Sequence, residues 1–268
     1  DEISLEEFKL LLEDIVYKKT RDPEKYIKEI YVNGYTIDPT SNIEPNHQYN
    51  YQNNESTTRK FLDCLVHNKT CSERVLELIS FSQLYGQGKT EFIKSLHDEN
   101  RWKQIEERKV QDKNWENDVS MESLVVKYTS LHDINVDDSI DILKELHHRI
   151  FELLFPFLDN NHFNIYYEKK MFRNVDKWVS GIEGKYIVIA LDDISHLTHP
   201  TEKTSLFDSL SMAYKLWNYV LFNYQKIKNT SIVVLGKNSP FYLVSENVLG
   251  RTSSPCANSS LFLDLFEK

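Results

Sequence analysis

Glycine is scarce in this chain, with seven in 268 residues, well under half the ~7% usual in globular proteins. A backbone so poor in glycine is expected to spend those it has where left-handed or closely approached geometry demands them. Two of them, Gly86 and Gly88, stand two residues apart. Cysteine is equally sparse. Cys64, Cys71 and Cys256 are too few and too irregular for a disulfide scaffold, and no Cys/His spacing matches a zinc site, so the thiols read as inert ones of an intracellular chain. No run of about 18 apolar residues occurs, which excludes a transmembrane helix. The stretch Asp1 to Leu12 is acidic and amphipathic, unlike the basic-then-apolar pattern of a signal peptide. Excess positive charge is missing too. With 32 Lys and Arg against 41 Asp and Glu, the net charge is −9, which argues against direct nucleic-acid binding and against an anionic membrane surface. These absences point to an intracellular location, cytoplasmic or nuclear. The start at Asp1 reads as a processed protein or an excised segment from which a targeting sequence could have been lost. The four N-x-S/T sequons, beginning at Asn54, Asn68, Asn229 and Asn258, read as chance in an Asn-rich chain.

What is present suffices for a sizeable core: 40% of residues are hydrophobic, with 14 Phe, 15 Tyr and 4 Trp, so global disorder is excluded. Ser4 to Lys18 has the apolar spacing of an amphipathic helix, and Pro23 to Tyr31 suits a second short one. Asn33 to Thr58 then turns polar and reads as a linker. A boundary near residue 57 divides an N-terminal helical segment with its linker, 1–57, from a main domain, 58–268. In that domain helix and strand alternate. Helices are expected at Thr57–Val66, Thr90–His97, Asp137–Phe155 (started by Asp138 or Ser139) and Ser205–Phe222. Strands are expected at Arg74–Ser82, Ser123–Thr129, Tyr186–Leu191, Ser231–Leu235 and Leu261–Phe266, with Asp98–Asn117 a polar surface insertion. Such alternation implies right-handed βαβ units, hence an α/β fold with helices on both faces of a mainly parallel five-stranded sheet.

Ser82-Gln-Leu-Tyr-Gly86-Gln87-Gly88-Lys89-Thr90 joins a predicted strand to a predicted helix. In that context successive backbone N–H groups can wrap a phosphate at a helix N-terminus. Gly88 allows close backbone approach, Lys89 reaches the β- and γ-phosphates, and the Thr90 hydroxyl can ligate Mg²⁺. A full phosphate loop carries glycine five residues before Gly88, where this chain has Gln83; a plain strand-to-helix turn with a surface lysine is the alternative. The second feature is Tyr186-Ile-Val-Ile-Ala-Leu191-Asp192-Asp193, an apolar strand ending in two carboxylates, at the sheet edge where ligands of parallel α/β folds bind. Asp192 can hold Mg²⁺ together with Thr90, and Asp193 can orient and deprotonate an attacking water. Two solvated acids opening a loop is the alternative there.

This pair resembles the Walker A and Walker B motifs of P-loop NTPases of the additional-strand class, which includes AAA+ and STAND ATPases. The resemblance covers residues 60 to 268 and implies a three-layer α/β/α fold. It further implies binding and hydrolysis of ATP with Mg²⁺, and a strand between the two motif strands ending in a polar sensor. Ser231–Leu235 followed by Gly236-Lys237-Asn238-Ser239 suits that strand, with Asn238 as the sensor, and Lys237 or Ser239 as the other choices. A narrower likeness joins YGQGKTEF, VVKYTSLHD, IVIALDDI and VVLGKNSPF to the ATPase core of Crinkler-type effectors and retrotransposon hot spot proteins. An arginine finger would come from Arg251, Arg173 or Arg149. No NKxD guanine motif is present, which favours ATP over GTP. The residues expected to act are thus Asp193, Lys89 and Asn238 in catalysis, Gly86 to Thr90 around phosphate, and Thr90 with Asp192 at the metal. The implied partners are a nucleotide and a protein partner or second copy. A nucleotide-binding switch, or degenerate NTPase serving as an interaction module, is the competing class, motivated by Gln83 and by Asp rather than Glu at 193. The pairs His147–His148 and His196–His199 raise a metal site, though histidine pairs more commonly belong to a surface or core edge.

Overall fold

The computed structural model describes residues 55–70, 76–81, 88–112, 115, 118–134, 136, 141–155, 159–174, 186–199, 204–227, 229–236 and 256–260. The expected helices at 4–18 and 23–31 and the linker lie outside the described residues. In chain order the elements are α1 (Glu55–Thr70), β1 (Leu76–Phe81), α2 (Lys89–Lys94) running into a 3₁₀ turn, α3 (Glu99–Gln111), β2 (Leu124–Ser130), α4 (Ile142–Leu154), α5 (Asn160–Glu168), a 3₁₀ turn, and β3 (Tyr186–Asp192). There follow α6 (Ser195–Thr198), α7 (Leu206–Leu216), a π-helical turn (Trp217–Leu221), α8 (Phe222–Gln225), β4 (Thr230–Leu235) and β5 (Cys256–Ser260).

The five strands form one sheet in the order β2-β3-β4-β1-β5, and every recorded pairing is parallel. β4 lies between β1 and β3, which carry the segments leading to Lys89 and to Asp192, as expected of a strand inserted between the two motif strands. Strand periodicity of two sorts the side chains between the layers. Ile187, Ile189 and Leu191 of β3 and Ile232 and Val234 of β4 join one cluster with α4, α5, α7 and the π-helical turn. Val188 and Ala190 of β3, with Val126, Tyr128, Ile79, Phe81, Val233 and Leu235, join the other with α1, α2 and α3. The same parity sends Asp192 toward the α1–α3 side, where Thr90 sits.

Several boundaries differ from the sequence reading. Asp98–Asn117 is not merely a surface insertion, because 99–111 of it form α3, capped by the Asp98 side chain on the Asn100 amide. Its helical spacing buries Arg101, Trp102 and Ile105. The guanidinium of Arg101 donates to the Phe92 carbonyl at 2.9 Å and to Thr58 Oγ1 at 3.0 Å, which makes its burial tolerable. Helix α4 is capped by Asp141, whose carboxylate accepts from the Leu143 and Lys144 amides, rather than by Asp138 or Ser139. Helix α5 was not expected from the sequence; Asp159 and His162 close a capping box at its start. The fifth strand lies at Cys256–Ser260, ahead of the expected 261–266, which lie outside the described residues. The sequon residues Asn68 and Asn229 are buried and so are no glycan acceptors.

Candidate functional site

The C-terminal ends of β1, β4, β3 and β2 come to one edge of the sheet, and backbone bonds stitch them together. The Gly236 amide donates to the Phe81 carbonyl at 3.0 Å, the Ile194 amide to the Leu235 carbonyl at 2.9 Å, and the Leu131 amide to the Asp192 carbonyl at 2.9 Å. Gly236 is closely approached here. A Cβ on it would come within 3.1 Å of the Ser195 amide nitrogen and 3.2 Å of Ile194 Cγ2, so the turn after β3 would have to give by a few tenths of an ångström to admit it. The end of β4 therefore presses directly on the turn that carries Asp193.

Residues 82–87 lie outside the described residues, and with them Gly86 and Gln87. Description resumes at Gly88, which adopts φ +75 and ψ 17 and leads into α2. A Cβ at Gly88 would meet nothing within 4 Å, so its requirement for glycine is the left-handed dihedral rather than crowding in the protein itself. Lys89 follows, buried at 8% exposure. Burial pulls its ammonium below the ordinary lysine range, while the carboxylates of Asp192 and Asp193 pull it upward. A cation held at a dry site beside two carboxylates is a ready counter-charge for an anion.

The Thr90 hydroxyl donates to Asp192 Oδ2 at 2.5 Å, joining segments 102 residues apart in sequence. The same oxygen accepts from the Tyr128 hydroxyl at 2.7 Å, and Asp192 Oδ1 accepts from the Asp193 amide at 2.8 Å. Asp193 is held in the left-handed region at φ 60, a conformation that costs a non-glycine residue about 1 kcal/mol and that Asp tolerates better than most. His132 Nδ1 lies 3.0 Å from its Oδ2, and the Ser195 hydroxyl donates to its Oδ1 at 3.1 Å. The structure thus brings Lys89, Thr90, Asp192 and Asp193 to one place. Asn238, Lys237 and Ser239 lie outside the described residues, as does Arg251. Arg149 is ion-paired with Asp133 and Glu145, and Arg173 is exposed.

Tyr128, His132 and Ser195 were not singled out in the sequence, yet each touches a carboxylate of the site. The signal that finds them is register: β2 runs parallel to β3 with Ser130 opposite Asp192, so the last residues of β2 and the turn beyond it must flank the two acids. His196 sits beside them, its Nε2 2.7 Å from the Ile134 carbonyl and its ring 5.7 Å from that of His132. Among the described residues no group of three or more His, Cys, Asp or Glu is arranged to hold a metal by itself. His147 is a buried core residue with a tyrosine partner, and His148 bonds Asn160 on the neighbouring helix. The hard oxygens of Thr90 and Asp192 fit Mg²⁺ completed by substrate phosphate and water, the habit of this small cation. No described helix is long and apolar enough to cross a membrane.

No family model matches the chain, nor does any curated protein. Among solved structures it is similar to the ORC2 protein of Aeropyrum pernix, solved as ADPNP–ADP complexes, at 12% identity and a TM-score of 0.42 over 83% of this chain and 50% of that one. It is also similar to the Aeropyrum pernix ORC1 protein in complex with DNA, at 14% identity and a TM-score of 0.38 over 90% of this chain and 50% of that one. The chain thus spans about half the length of these structures.

Proposed function

We propose that the chain is a Mg²⁺-dependent P-loop ATPase domain that binds and hydrolyses ATP to drive a conformational change in a larger protein or assembly. The observation that carries this reading is the 2.5 Å bond between Thr90 and Asp192. A threonine opening a helix after Gly-Lys and an aspartate ending a buried strand thus meet at the sheet edge, the arrangement that a shared phosphate and metal site needs. In this reading the backbone from Gly86 to Thr90 wraps the β-phosphate, and Lys89 neutralises charge on the β- and γ-phosphates. Thr90 and Asp192 would hold Mg²⁺, which supplies further neutralisation of the transferring phosphoryl group. Asp193 accepts a proton from water as the water oxygen bonds to the γ-phosphorus; the bond from that phosphorus to the bridging oxygen breaks, and ADP and inorganic phosphate leave. Asn238 would orient that water or touch the γ-phosphate. The partner is a second protein or a second copy of this chain. The narrower kinship with the Crinkler and hot spot ATPase cores belongs to the same proposal and rests on four short sequence segments. The division at residue 57 is likewise carried forward as part of it.

A second reading, a nucleotide-binding switch without turnover, is favoured by one observation. Both Asp193 oxygens already have partners, His132 and Ser195, which compete with an attacking water for the carboxylate. Two assays on purified protein separate the readings: ATP binding by calorimetry, and phosphate release, each against Lys89→Ala. Tight binding with turnover well above the variant supports the ATPase. Tight binding with turnover equal to the variant supports the switch, and binding unchanged by Lys89→Ala overturns both.

A further inference from the structure

We propose that Tyr128 is a positioning residue for Asp192, and through it for the divalent cation; this rests on the ATPase reading above. An ionised carboxylate offers about four lone-pair directions. On Asp192 the Oδ2 pair is taken by Thr90 at 2.5 Å and Tyr128 at 2.7 Å, and one Oδ1 direction by the Asp193 amide at 2.8 Å. Thr90 is itself a proposed ligand, and the amide is backbone. Tyr128 is therefore the side chain whose contact with Asp192 serves to orient the carboxylate.

Strand geometry explains why a tyrosine stands there. Tyr128 pairs with Ala190, two residues before Asp192 on the same face. Its hydroxyl must span a diagonal of ~7–8 Å between adjacent strands, which a long rigid side chain can do and serine or threonine cannot. Ala190 is small enough to let the ring lie across it. The ring is buried, with the Lys94 ammonium 5.9 Å from its centroid, so its hydroxyl is delivered by packing rather than by a flexible chain. With Oδ2 accepting from both hydroxyls, Asp192 would meet the cation or its water through Oδ1. The Thr90 hydroxyl keeps its proton, donated toward Asp192 Oδ2, and its oxygen would offer its lone pairs to the metal. Removing such an outer hydrogen bond weakens metal affinity by about 10–100-fold in well-formed sites.

The test is a Mg²⁺ titration of the binding of a non-hydrolysable ATP analogue to the wild type, Tyr128→Phe and Lys89→Ala, each repeated in EDTA, with melting temperatures recorded without metal. Tyr128→Phe is expected to raise the Mg²⁺ concentration at half-maximal binding by about tenfold or more. Binding in EDTA should match the wild type, and the melting temperature should stay within a few degrees. An unchanged Mg²⁺ midpoint overturns the proposal. So does an equal loss of binding with and without Mg²⁺, or failure of Tyr128→Phe to fold, since either would mark the hydroxyl as structural. A wild type that binds the analogue without regard to Mg²⁺ or Lys89 overturns the ATPase reading itself, and is told apart from the other outcomes by the wild-type curves alone.

Discussion

Two polar clusters lie on opposite faces of the same sheet, and they are built from similar parts to opposite ends. On the α1–α3 side, Tyr128 and Thr90 donate to Asp192, with Lys89 and Asp193 beside them. On the other side, under α4 and α5, the Tyr224 hydroxyl lies 2.9 Å from His147 Nδ1 and 3.1 Å from the Tyr166 hydroxyl, and His147 Nε2 lies 3.2 Å from the Tyr219 carbonyl. The first cluster stands at the strand ends and gathers charge. The second is sealed and excludes it: burial pushes the His147 imidazole down to about 4 and the Tyr166 phenol well above the ordinary tyrosine range. A buried hydroxyl thus has two uses in this fold, to aim a carboxylate at the strand ends or to partner an imidazole kept neutral by burial. Stability should reside in the sealed cluster and activity in the open one.

The largest expected effect lies in the open cluster. Asp193→Asn keeps the shape and removes the proposed base, and turnover should fall about 10³-fold, read as phosphate release at saturating ATP, while ATP binding and the melting temperature hold. A comparable loss of stability would erase the contrast between the clusters.

Next is the titration of His147. The unfolded histidine takes a proton below its ordinary value of 6.5, and the folded one refuses it until about 4. In that window the unfolded chain binds more protons, so stability is complete above pH 6.5 and is lost as pH falls toward 4, by up to about 3 kcal/mol. Urea unfolding between pH 7 and 4 should show that slope, and His147→Phe should flatten it.

Lys127 supplies a third, smaller effect of the same sense in a higher pH window. It lies on β2 at 2% exposure, and its Nζ has no hydrogen-bond partner among the described residues. Burial pulls its ammonium down to about 8. Below pH 8 both states carry the proton and the folded state bears the whole desolvation cost. Between 8 and 10.5 that cost fades, so stability rises with pH. Lys127→Met should remove it and stabilise the protein by about 2 kcal/mol at pH 7, measured by urea denaturation.

The sequence announces the open cluster more clearly than the sealed one. A continuous apolar run ending in Asp192-Asp193 reads as a buried parallel strand with its acids at the C-terminal edge of the sheet, and β3 spans Tyr186–Asp192. Gly-Lys-Thr after a predicted strand likewise points to the start of a helix, and α2 begins at Lys89. Local pattern says nothing about contacts across strands, however. That Tyr128 reaches Asp192 depends on the register of β2 against β3, and that His132 reaches Asp193 depends on the turn that follows. Helix α3 escaped notice because its charges hide an apolar stripe of Trp102 and Ile105, completed by a buried arginine. Helix α5 is nine residues long, too short for periodicity to stand out. His147 could be read as metal-binding because nothing local reveals that Tyr224, 77 residues later, closes over it.

The smallest effects test the direction of hydrogen bonding in the sealed cluster. If neutral His147 donates from Nε2 to the Tyr219 carbonyl, its Nδ1 must accept from Tyr224, and the Tyr224 oxygen then accepts from Tyr166. Tyr224→Phe would then strand both the His147 nitrogen and the Tyr166 hydroxyl, and should cost about 2 kcal/mol. Tyr166→Phe removes the terminal donor and leaves only an oxygen with one bond fewer, so it should cost less than about 1 kcal/mol. Urea denaturation at pH 7 gives both values. Equal costs would mean that the chain of donors runs the other way or not at all. Neither substitution should move the Mg²⁺ midpoint of nucleotide binding, whereas Tyr128→Phe should; all three remove one buried phenol hydroxyl, and the difference between them lies in whether that hydroxyl belongs to the sealed Tyr–His chain or faces the Asp192 carboxylate.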